Sequence, residues 1–345
     1  MAKYIFSNLL ADKRMIKLEK RSDFMNIAFA GFRHGHIYGL YDKVVNSDRV
    51  NLIGCFEENE KAKEQAKSLR PIDFNYSSYE EILHDKNVDI VAVGDYYGKR
   101  GKLIIEALKN GKHVICDKPI CTSLKELKII KKLSEKNNLK IMCMLDMRYD
   151  IHVNKAIEII SSGQLGKLIN ISFTGQHCLD YGNRPEWYYE DGKHGGTIND
   201  IAIHGIDVIR YMTGKNLTKV NCAKTWNGFA TNEPQFKDCG QFMVEMDDVS
   251  VMADVSYAAP KCNSTLPTYW DFYFWGTEGM MNFRSSEKVI HLYKSTAETV
   301  ECEAPTSDYL EDFLDEIDGK SLRFDTQETL ESQRQVLLIQ KPCGK

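Results

Sequence analysis

The chain has 345 residues, of which 43% are hydrophobic and 27% charged, and its formal net charge at pH 7 is −4. These values are typical of a soluble globular protein and give no reason to expect a nucleic acid or an anionic membrane as a partner. No apolar run approaches the roughly 20 residues that span a bilayer, so no transmembrane segment is expected.

A chain of this length can bury a large core and divide into two domains. Residues 1–24 mix basic and apolar side chains without the continuous apolar stretch of a secretory signal. We expect a disordered extension there, or a mis-set start with Met25 as the natural first residue. The ten cysteines are scattered without a Cys-x-x-Cys pair, which favours free thiols in a reducing compartment, and so a cytoplasmic location.

The stretch after Met25 predicts a strand, a glycine turn and a helix. The apolar run 27–30 is long enough for one buried strand, Gly31 ends it, and a helix is predicted from His34. Free backbone N–H groups and the helix dipole make such a turn a site for a dinucleotide pyrophosphate. The fingerprint Gly-x-Gly-x-x-Gly would need glycines where the chain has Arg33 and His36. Taken alone, the stretch fits an ordinary tight turn equally well.

Strands and helices alternate from Met25 to about Asp146, which is typical of a doubly wound parallel sheet. The ligand crevice of such a sheet lies at the carboxyl ends of its strands. The next predicted strands are 50–56, 89–93, 112–116 and 139–145, and the predicted helices start near Asn59, run over 103–109, and run over 124–136 with Thr122 or Ser123 as the N-cap.

After Asp146 the pattern changes to β structure with short turns, which predicts a large, mostly antiparallel open sheet. One layer of helices would leave the other face of this sheet free for subunit association. The predicted strands are 168–177, 220–226, 241–246, 249–257, 269–275 and 289–293, and the predicted helices are 153–161, 308–317 and 327–341.

Glu57 ends the second strand, 26 residues after Gly31. A carboxylate at this place in a dinucleotide fold accepts hydrogen bonds from the adenosine ribose and disfavours a 2′-phosphate. Since Glu58 and Glu60 are neighbours, a solvated acid in an acidic turn is an equally good interpretation from position alone.

Asp117-Lys118-Pro119 follows directly after the strand 112–116. This position places the Lys118 ammonium at the edge of the sheet where ligands bind, and Pro119 restricts the backbone from which the side chain emerges. A surface lysine is the alternative.

Asp200 and His204 are four residues apart in a helix that follows the glycine pair 195–196. They should lie on one helix face, within reach of each other or of one ligand. A carboxylate that orients an imidazole is a general acid–base unit near neutral pH. The alternative is an Asp–His pair that packs one helix, and Asp207 on nearly the same face is expected to be structural.

Together these signals resemble the Gfo/Idh/MocA oxidoreductases, which include glucose–fructose oxidoreductase and inositol dehydrogenase. The block 111–119 resembles the Glu-Lys-Pro motif of the family with Asp for Glu, and the helix with Asp200 and His204 resembles its catalytic helix. The resemblance implies a dinucleotide-binding Rossmann domain over 25–146, a substrate and oligomerisation domain over 147–345, and catalytic roles for Lys118, Asp200 and His204.

The resemblance also implies a nicotinamide cofactor, and Glu57 favours NAD over NADP. Arg33 replaces the second glycine of the family, so either the turn is reshaped around Gly35 or Arg33 contacts a phosphate. The loop 94–100 lacks the Thr-Pro…His of many members. The expected cofactor contacts are Gly31, Arg33, His34, Gly35, His36, Glu57, Asp95, Tyr96, Asp117 and Lys118.

A polar and aromatic cluster before the catalytic helix suits a sugar or polyol, although a loop packed on its own aromatic side chains is the alternative. His177, His194, Asp200 and His204 match no standard zinc spacing, so no metal is expected. The candidate substrate residues are Arg148, His177, Arg184, Trp187, Tyr188 and His194.

The sequence thus predicts a cytoplasmic NAD(P)-dependent oxidoreductase that moves hydride between nicotinamide and a secondary alcohol or carbonyl of a sugar, cyclitol or related polyol. We expect a homodimer or homotetramer through the C-terminal sheet. His204 would take the hydroxyl proton, Lys118 would stabilise the oxygen, and Asp200 would orient His204 or a neighbouring hydroxyl. The alternatives are an NAD-retaining glycosidase and a non-catalytic dinucleotide-sensing regulatory protein.

Overall fold

The computed structural model describes residues 24–261, 266 and 269–344. Apart from Phe24, the predicted N-terminal extension lies outside the described residues. The described part of the chain contains one sheet of five strands and one of eight. None of the described helices is long and apolar enough to cross a membrane.

The first sheet is parallel throughout, with the strand order β2-β1-β3-β4-β5. From β1 the chain first places β2 on one side of it and then β3 on the other, so β1 and β3 flank the switch point at which sheets of this kind bind ligands. The doubly wound parallel sheet predicted from the sequence is confirmed. Its strands are β1 (Met25–Ala30), β2 (Val50–Phe56), β3 (Ile90–Val93), β4 (His113–Cys116) and β5 (Ile141–Cys143).

Five helices accompany this sheet, and Asn59 and Ser123 cap two of them with their side chains. The helix at 79–84 is absent from the sequence prediction, because six residues are too few to show a helical period. The helix expected from Leu103 already begins at Tyr97, and the one expected from His34 begins at His36. The helices are His36–Val45, Glu60–Leu69, Tyr79–His84, Tyr97–Lys109 and Leu124–Asn137.

The second sheet has the order β13-β12-β11-β10-β6-β9-β8-β7 and is antiparallel except for the pair β6 and β9. This confirms the predicted, mostly antiparallel sheet. Two strands, β11 and β13, are absent from the sequence prediction, and β13 is an edge strand in which Val300 alone is half-buried. The strands are β6 (Leu168–Gln176), β7 (Leu217–Trp226), β8 (Cys239–Met246), β9 (Val249–Ser256), β10 (Trp270–Gly276), β11 (Met280–Arg284), β12 (Val289–Tyr293) and β13 (Ala297–Glu301).

The helix that carries His204 lies directly on the second sheet. Its first turn, Ile198–Ala202, is π-helical, and the α-helix Ile203–Thr213 continues from it. A Cβ on Gly205 would lie 2.2 Å from the Phe173 ring in β6, so the helix can approach the sheet this closely only with glycine at that position. The close packing of this helix on the sheet thus fixes the distance of the catalytic candidates from β6.

The chain ends in two helices, Tyr309–Ile317 and Thr326–Gln340. The first of them returns to the first sheet, where Leu310 and Phe313 share one buried apolar cluster with Ile27 and Phe29 of β1. Residues near the end of the chain therefore complete the apolar core of the first sheet.

The last helix contacts both halves of the molecule. The Gln333 side chain accepts a hydrogen bond from the Ile120 N–H at 2.8 Å and donates one to the Asn199 side chain at 2.7 Å. A division at residue 146 stays a proposal, since the two final helices pack across it.

Candidate active site

A cavity of about 520 Å³ lies between the carboxyl edge of the first sheet and the helix that carries Asp200 and His204 over the second sheet. Its size is that of a small-ligand pocket. The three predicted catalytic side chains, Lys118, Asp200 and His204, all line it, although Lys118 lies 82 residues before Asp200 in the chain. Asp200 and His204 therefore face the same cavity, which agrees with their i,i+4 spacing.

Lys118 and Asp200 form a buried ion pair. The Lys118 Nζ atom lies 2.5 Å from Asp200 Oδ1 and 3.1 Å from the Asp200 carbonyl oxygen. The second carboxylate oxygen of Asp200 lies 3.3 Å from His194 Nε2. Burial alone would raise the pKa of Asp200, but the Lys118 ammonium and His194 hold it well below its usual range. Asp200 is therefore ionised at neutral pH and fixes the ammonium in the cavity.

His204 is buried, and burial lowers its pKa well below the usual range, with the charges of Lys118, His36 and His177 acting in the same direction. Neutral imidazole is the form that can accept a proton. The Nδ1 atom lies 3.2 Å from Asp146 Oδ1, a carboxylate whose side chain is 59% exposed. His204 is thus a buried base with one ring nitrogen near an acid at the cavity rim, without the geometry of a hydrogen bond between them.

The sequence left open whether Asp200 contacts His204 or only shares a ligand with it, and in the structure each has its own charged neighbour, Lys118 for Asp200 and Asp146 for His204. Lys118 reaches Asp200 from the facing sheet edge, and a full charge is a stronger partner for a buried carboxylate than a neutral imidazole. Asp146, which stands beside His204, is not among the sequence candidates. The signal that could have found it is its position shortly after β5, at the carboxyl edge of the sheet where Lys118 also lies.

The predicted cofactor turn has the backbone that a dinucleotide requires. Gly31 has φ +92°, and a Cβ there would lie 2.6 Å from the Asp95 backbone nitrogen, so glycine is needed at this position. The following helix starts at His36 after Gly35, which provides no side-chain cap, so its first N–H groups can bind an anion. These residues fit a dinucleotide phosphate, and the turn is formed around Gly31 and Gly35 without the other fingerprint glycines.

Glu57 is not a solvated acid, since only 3% of its surface is exposed. Its two oxygens accept hydrogen bonds from the backbone N–H groups of Phe32 at 2.6 Å and Asn59 at 2.8 Å. Burial raises its pKa against the effect of these two bonds. Arg33 lies 3.8 Å from the carboxylate and over the Tyr96 ring at 5.7 Å, so its guanidinium faces the place expected for the adenosine ribose.

Asp117 ties the turn to the Lys118 segment. Its Oδ2 atom lies 2.7 Å from His34 Nδ1 and 3.1 Å from Arg100 Nη2, while Oδ1 lies 3.4 Å from His36 Nδ1. Burial would raise the pKa of Asp117, but Arg100 and His34 hold it well below its usual range. Burial also lowers the pKa of His34 to about 4, so its ring is neutral at physiological pH.

Donor atoms of His34, His36 and Asp117 lie within 4.8 Å of one another, a spacing that a metal ion could use. The Arg100 guanidinium already shares the carboxylate, and the positive end of the helix His36–Val45 lies beside it. Both disfavour a further cation. We assign the cluster to the shape of the cofactor turn and derive no metal chemistry from it.

Three of the six substrate candidates, His177, Arg184 and Tyr188, line the cavity. Trp187 packs beneath it with its ring 4.9 Å from that of Tyr97, and His194 contacts the site through Asp200. Aromatic residues that the sequence analysis did not single out, Tyr257, Tyr269 and Trp270, complete the wall.

Arg148, also predicted as a substrate contact, does not line the cavity. Its guanidinium is buried and bonds both oxygens of Asp207 at 2.7 Å, with Thr329 as a further partner at 3.2 Å. A buried arginine with a bidentate carboxylate partner has a structural role, as was expected for Asp207 itself.

Residues 25–145 match a model described as oxidoreductase family, NAD-binding Rossmann fold, and residues 153–282 match the GFO/IDH/MocA C-terminal domain. An uncharacterised oxidoreductase of Bacillus subtilis, YrbE, is 25% identical over 260 residues, which are 73% of this chain and 72% of that protein.

Two relatives have named activities. Myo-inositol 2-dehydrogenase of Thermotoga maritima is 26% identical over 57% of each chain. Levoglucosan dehydrogenase of Pseudarthrobacter phenanthrenivorans is 27% identical over 49% of this chain and 44% of that protein. The chain thus spans about half the length of these two enzymes.

Among solved structures, an oxidoreductase of Erwinia carotovora has a TM-score of 0.81 at 23% identity and covers 92% of this chain and 98% of that one. A levoglucosan dehydrogenase in complex with NADH and levoglucosan has a TM-score of 0.76 at 18% identity and covers 93% and 97%. At these identities the likeness shows the fold.

Proposed function

The chain belongs to the Gfo/Idh/MocA oxidoreductase family, and from that premise we propose that it is an NAD-dependent dehydrogenase of a sugar, cyclitol or related polyol. The observation that carries the proposal is the convergence of a buried neutral imidazole and a fixed ammonium on one cavity beside the dinucleotide turn. A base and a cation at one oxygen are what removal of hydride from a carbinol requires.

NAD, when bound, supplies the hydride acceptor. In the oxidative direction His204 accepts the proton of the substrate hydroxyl on its Nε2 atom, and the Asp146 carboxylate faces the charge that develops on Nδ1. The Lys118 ammonium donates to the same substrate oxygen, and Asp200 holds that ammonium in position. The aromatic wall excludes water from the reacting face.

The proposal is tested with a panel of sugars, alditols and cyclitols and each nicotinamide cofactor, by following the absorbance of the reduced cofactor. Cofactor reduction with at least one of them is expected. Hydrolysis of a nitrophenyl glycoside without net NADH formation would instead support the NAD-retaining glycosidase, which needs the same three residues. Cofactor binding with no turnover of any kind would favour the regulatory protein.

We expect NAD to bind more tightly than NADP, because Glu57 would face a 2′-phosphate. Repulsion between the Glu57 carboxylate and the 2′-phosphate should weaken NADP binding by on the order of 1–3 kcal/mol. Arg33 reduces this penalty to the extent that it neutralises the carboxylate. Calorimetric titration of the wild type and of Glu57→Gln should show a clear preference that narrows in the variant. Glu60→Gln, an exposed acid in the same turn, is the matched control. Equal or tighter NADP binding by the wild type would contradict the assignment.

We expect Asp146→Asn to lower kcat by roughly fivefold, since a carboxylate beside an imidazolium in water-like surroundings is worth about 1 kcal/mol. Loss of the carboxylate favours neutral His204, so the acid limb of the kcat/KM profile should move to lower pH. Asp146→Glu should restore most of the activity, and the exposed Asp48→Asn should change nothing. An unchanged pH profile in Asp146→Asn would separate Asp146 from the acid–base unit.

We also propose a cytoplasmic location and a homodimer or homotetramer through the second sheet. Nine of the cysteines in the described part are free thiols, which supports a reducing compartment. The sheet face turned away from the helices exposes large apolar side chains on five strands, which supports subunit contact there. They are Ile169, Met243, Met252, Trp275 and Tyr293.

A further inference from the structure

Arg184 brings a positive charge to the cavity without a carboxylate of its own. It lines the cavity, and no carboxylate in the described ranges lies within ion-pair distance of it. The acids that act on it from farther away are Asp200 and Asp180. Each of these is already paired, Asp200 with Lys118 at 2.5 Å and Asp180 with Lys261 at 2.8 Å.

The guanidinium is held in place and still has free donors. Nε donates to the Leu179 carbonyl and Nη2 to the Cys178 carbonyl, both at 2.8 Å, while Nη1 donates to the Tyr188 hydroxyl at 3.3 Å. Arginine has five N–H groups, so one remains on each terminal nitrogen. The ring of Tyr188 lies 5.0 Å from the guanidinium carbon, which fixes the plane of the fork.

The other groups of the inner cavity contribute little net charge. Lys118 and Asp200 cancel each other, and burial keeps His177 and His204 neutral by lowering the pKa of each. Two further carboxylates line the cavity: Asp146 lies at the exposed rim beside His204, and Asp150 is bonded to the backbone N–H and the ring of His152. Arg184 is therefore the uncompensated charge of the inner wall, and a half-buried cation without a counterion attracts an anionic ligand.

We propose that the substrate is a sugar acid, an aldonate or uronate type of molecule, whose carboxylate binds Arg184 while its reacting carbinol lies at Lys118 and His204. This inference rests on the proposed function and names its substrate class. Two N–H groups on one planar fork match the two oxygens of a carboxylate. A phosphate ester has the same attraction to the guanidinium, but its second negative charge would face no further cation there.

The test uses substrate pairs that differ only in the carboxylate. Gluconate and glucitol, glucuronate and glucose, and galacturonate and galactose are assayed with NAD, and glucose 6-phosphate forms a separate arm. We expect kcat/KM for the acid of at least one pair to exceed that of its neutral partner by about tenfold or more, as for a charge-assisted hydrogen-bonded pair. This comparison needs no variant.

Arg184→Gln should remove the preference by raising KM for the acid far more than KM for its neutral partner, and Arg184→Lys should restore part of the preference. Arg323→Gln is the matched control, since Arg323 also donates to backbone carbonyls and packs on a tyrosine ring but lies away from the cavity. Binding of NAD, measured by calorimetry, should be the same in all of them.

Two results would overturn this inference while leaving the proposed dehydrogenase activity supported. One is turnover of the neutral sugars and alditols without any preference for the sugar acids, and the other is a preference for glucose 6-phosphate over the sugar acids. Failure of every member with either cofactor would overturn both. An acid preference that survives Arg184→Gln would overturn the role of Arg184.

Discussion

Replacing His204 by alanine is expected to lower kcat by roughly 10²–10⁴-fold while NAD affinity stays nearly unchanged. The imidazole is a buried neutral base that lines the same cavity as Lys118. Because the pKa of His204 is lowered by burial, wild-type activity should stay flat through neutral pH and fall only when the pH drops below the usual histidine range. Steady-state kinetics with a confirmed substrate and calorimetric titration of NAD provide the two readouts.

The exposed His84→Ala serves as the control, because its loss should leave both readouts unchanged. Adding Asp146→Asn to His204→Ala should cost nothing further, since the carboxylate acts through the imidazole. Near-normal turnover of His204→Ala at several pH values would overturn the acid–base assignment.

Replacing Lys118 by methionine is expected to lower kcat by roughly 10²–10³-fold and also to destabilise the fold by about 3–5 kcal/mol. The activity is lost with the donor to the substrate oxygen. The stability is lost because Asp200 would remain buried and ionised without its cation. Denaturant unfolding and kinetics measure the two effects separately.

The sign of the pH dependence follows from Asp200. Its pKa is depressed in the wild type, so the pair contributes stability above the pKa of an unfolded aspartate, about 4, and loses it as the pH falls further. Without Lys118, burial raises the pKa of Asp200, so the deficit of the variant should narrow as the pH is lowered. The double variant Lys118→Met/Asp200→Asn should recover stability without recovering kcat. A single variant as stable as the wild type would show that the pair is not buried in solution.

Much of the site follows from sequence because its parts lie at the carboxyl ends of strands. Gly31, Glu57 and Lys118 each lie one or two residues after a strand of one parallel sheet, so the end of an apolar run is enough to place them together. Their partners do not follow from any local pattern. The i,i+4 spacing gives the common face of Asp200 and His204, but which group reaches Asp200 is decided by β4, on the other side of the cavity.

Arg148 illustrates the same limit in the opposite direction. An arginine shortly after β5 is a reasonable substrate contact by position, yet Asp207, 59 residues later, binds it inside the core. A charge near a predicted site can serve binding or packing, and the distinction depends on a partner that single-sequence spacing does not reveal. The sequence likewise left open whether Glu57 is a ribose-binding carboxylate or a solvated acid. Its burial excludes the solvated acid, whereas the neighbouring Glu58 and Glu60 are exposed.

The return of the helix Tyr309–Ile317 to the first sheet has a consequence for synthesis on the ribosome. The last strand of that sheet ends at Cys143, and the helix that covers β1 emerges roughly 170 residues later. At about 5–20 residues per second, the nascent chain keeps that apolar surface open for about 8 to 35 seconds. We expect holdase chaperones to bind the growing chain in this interval, and release to coincide with the emergence of Phe313.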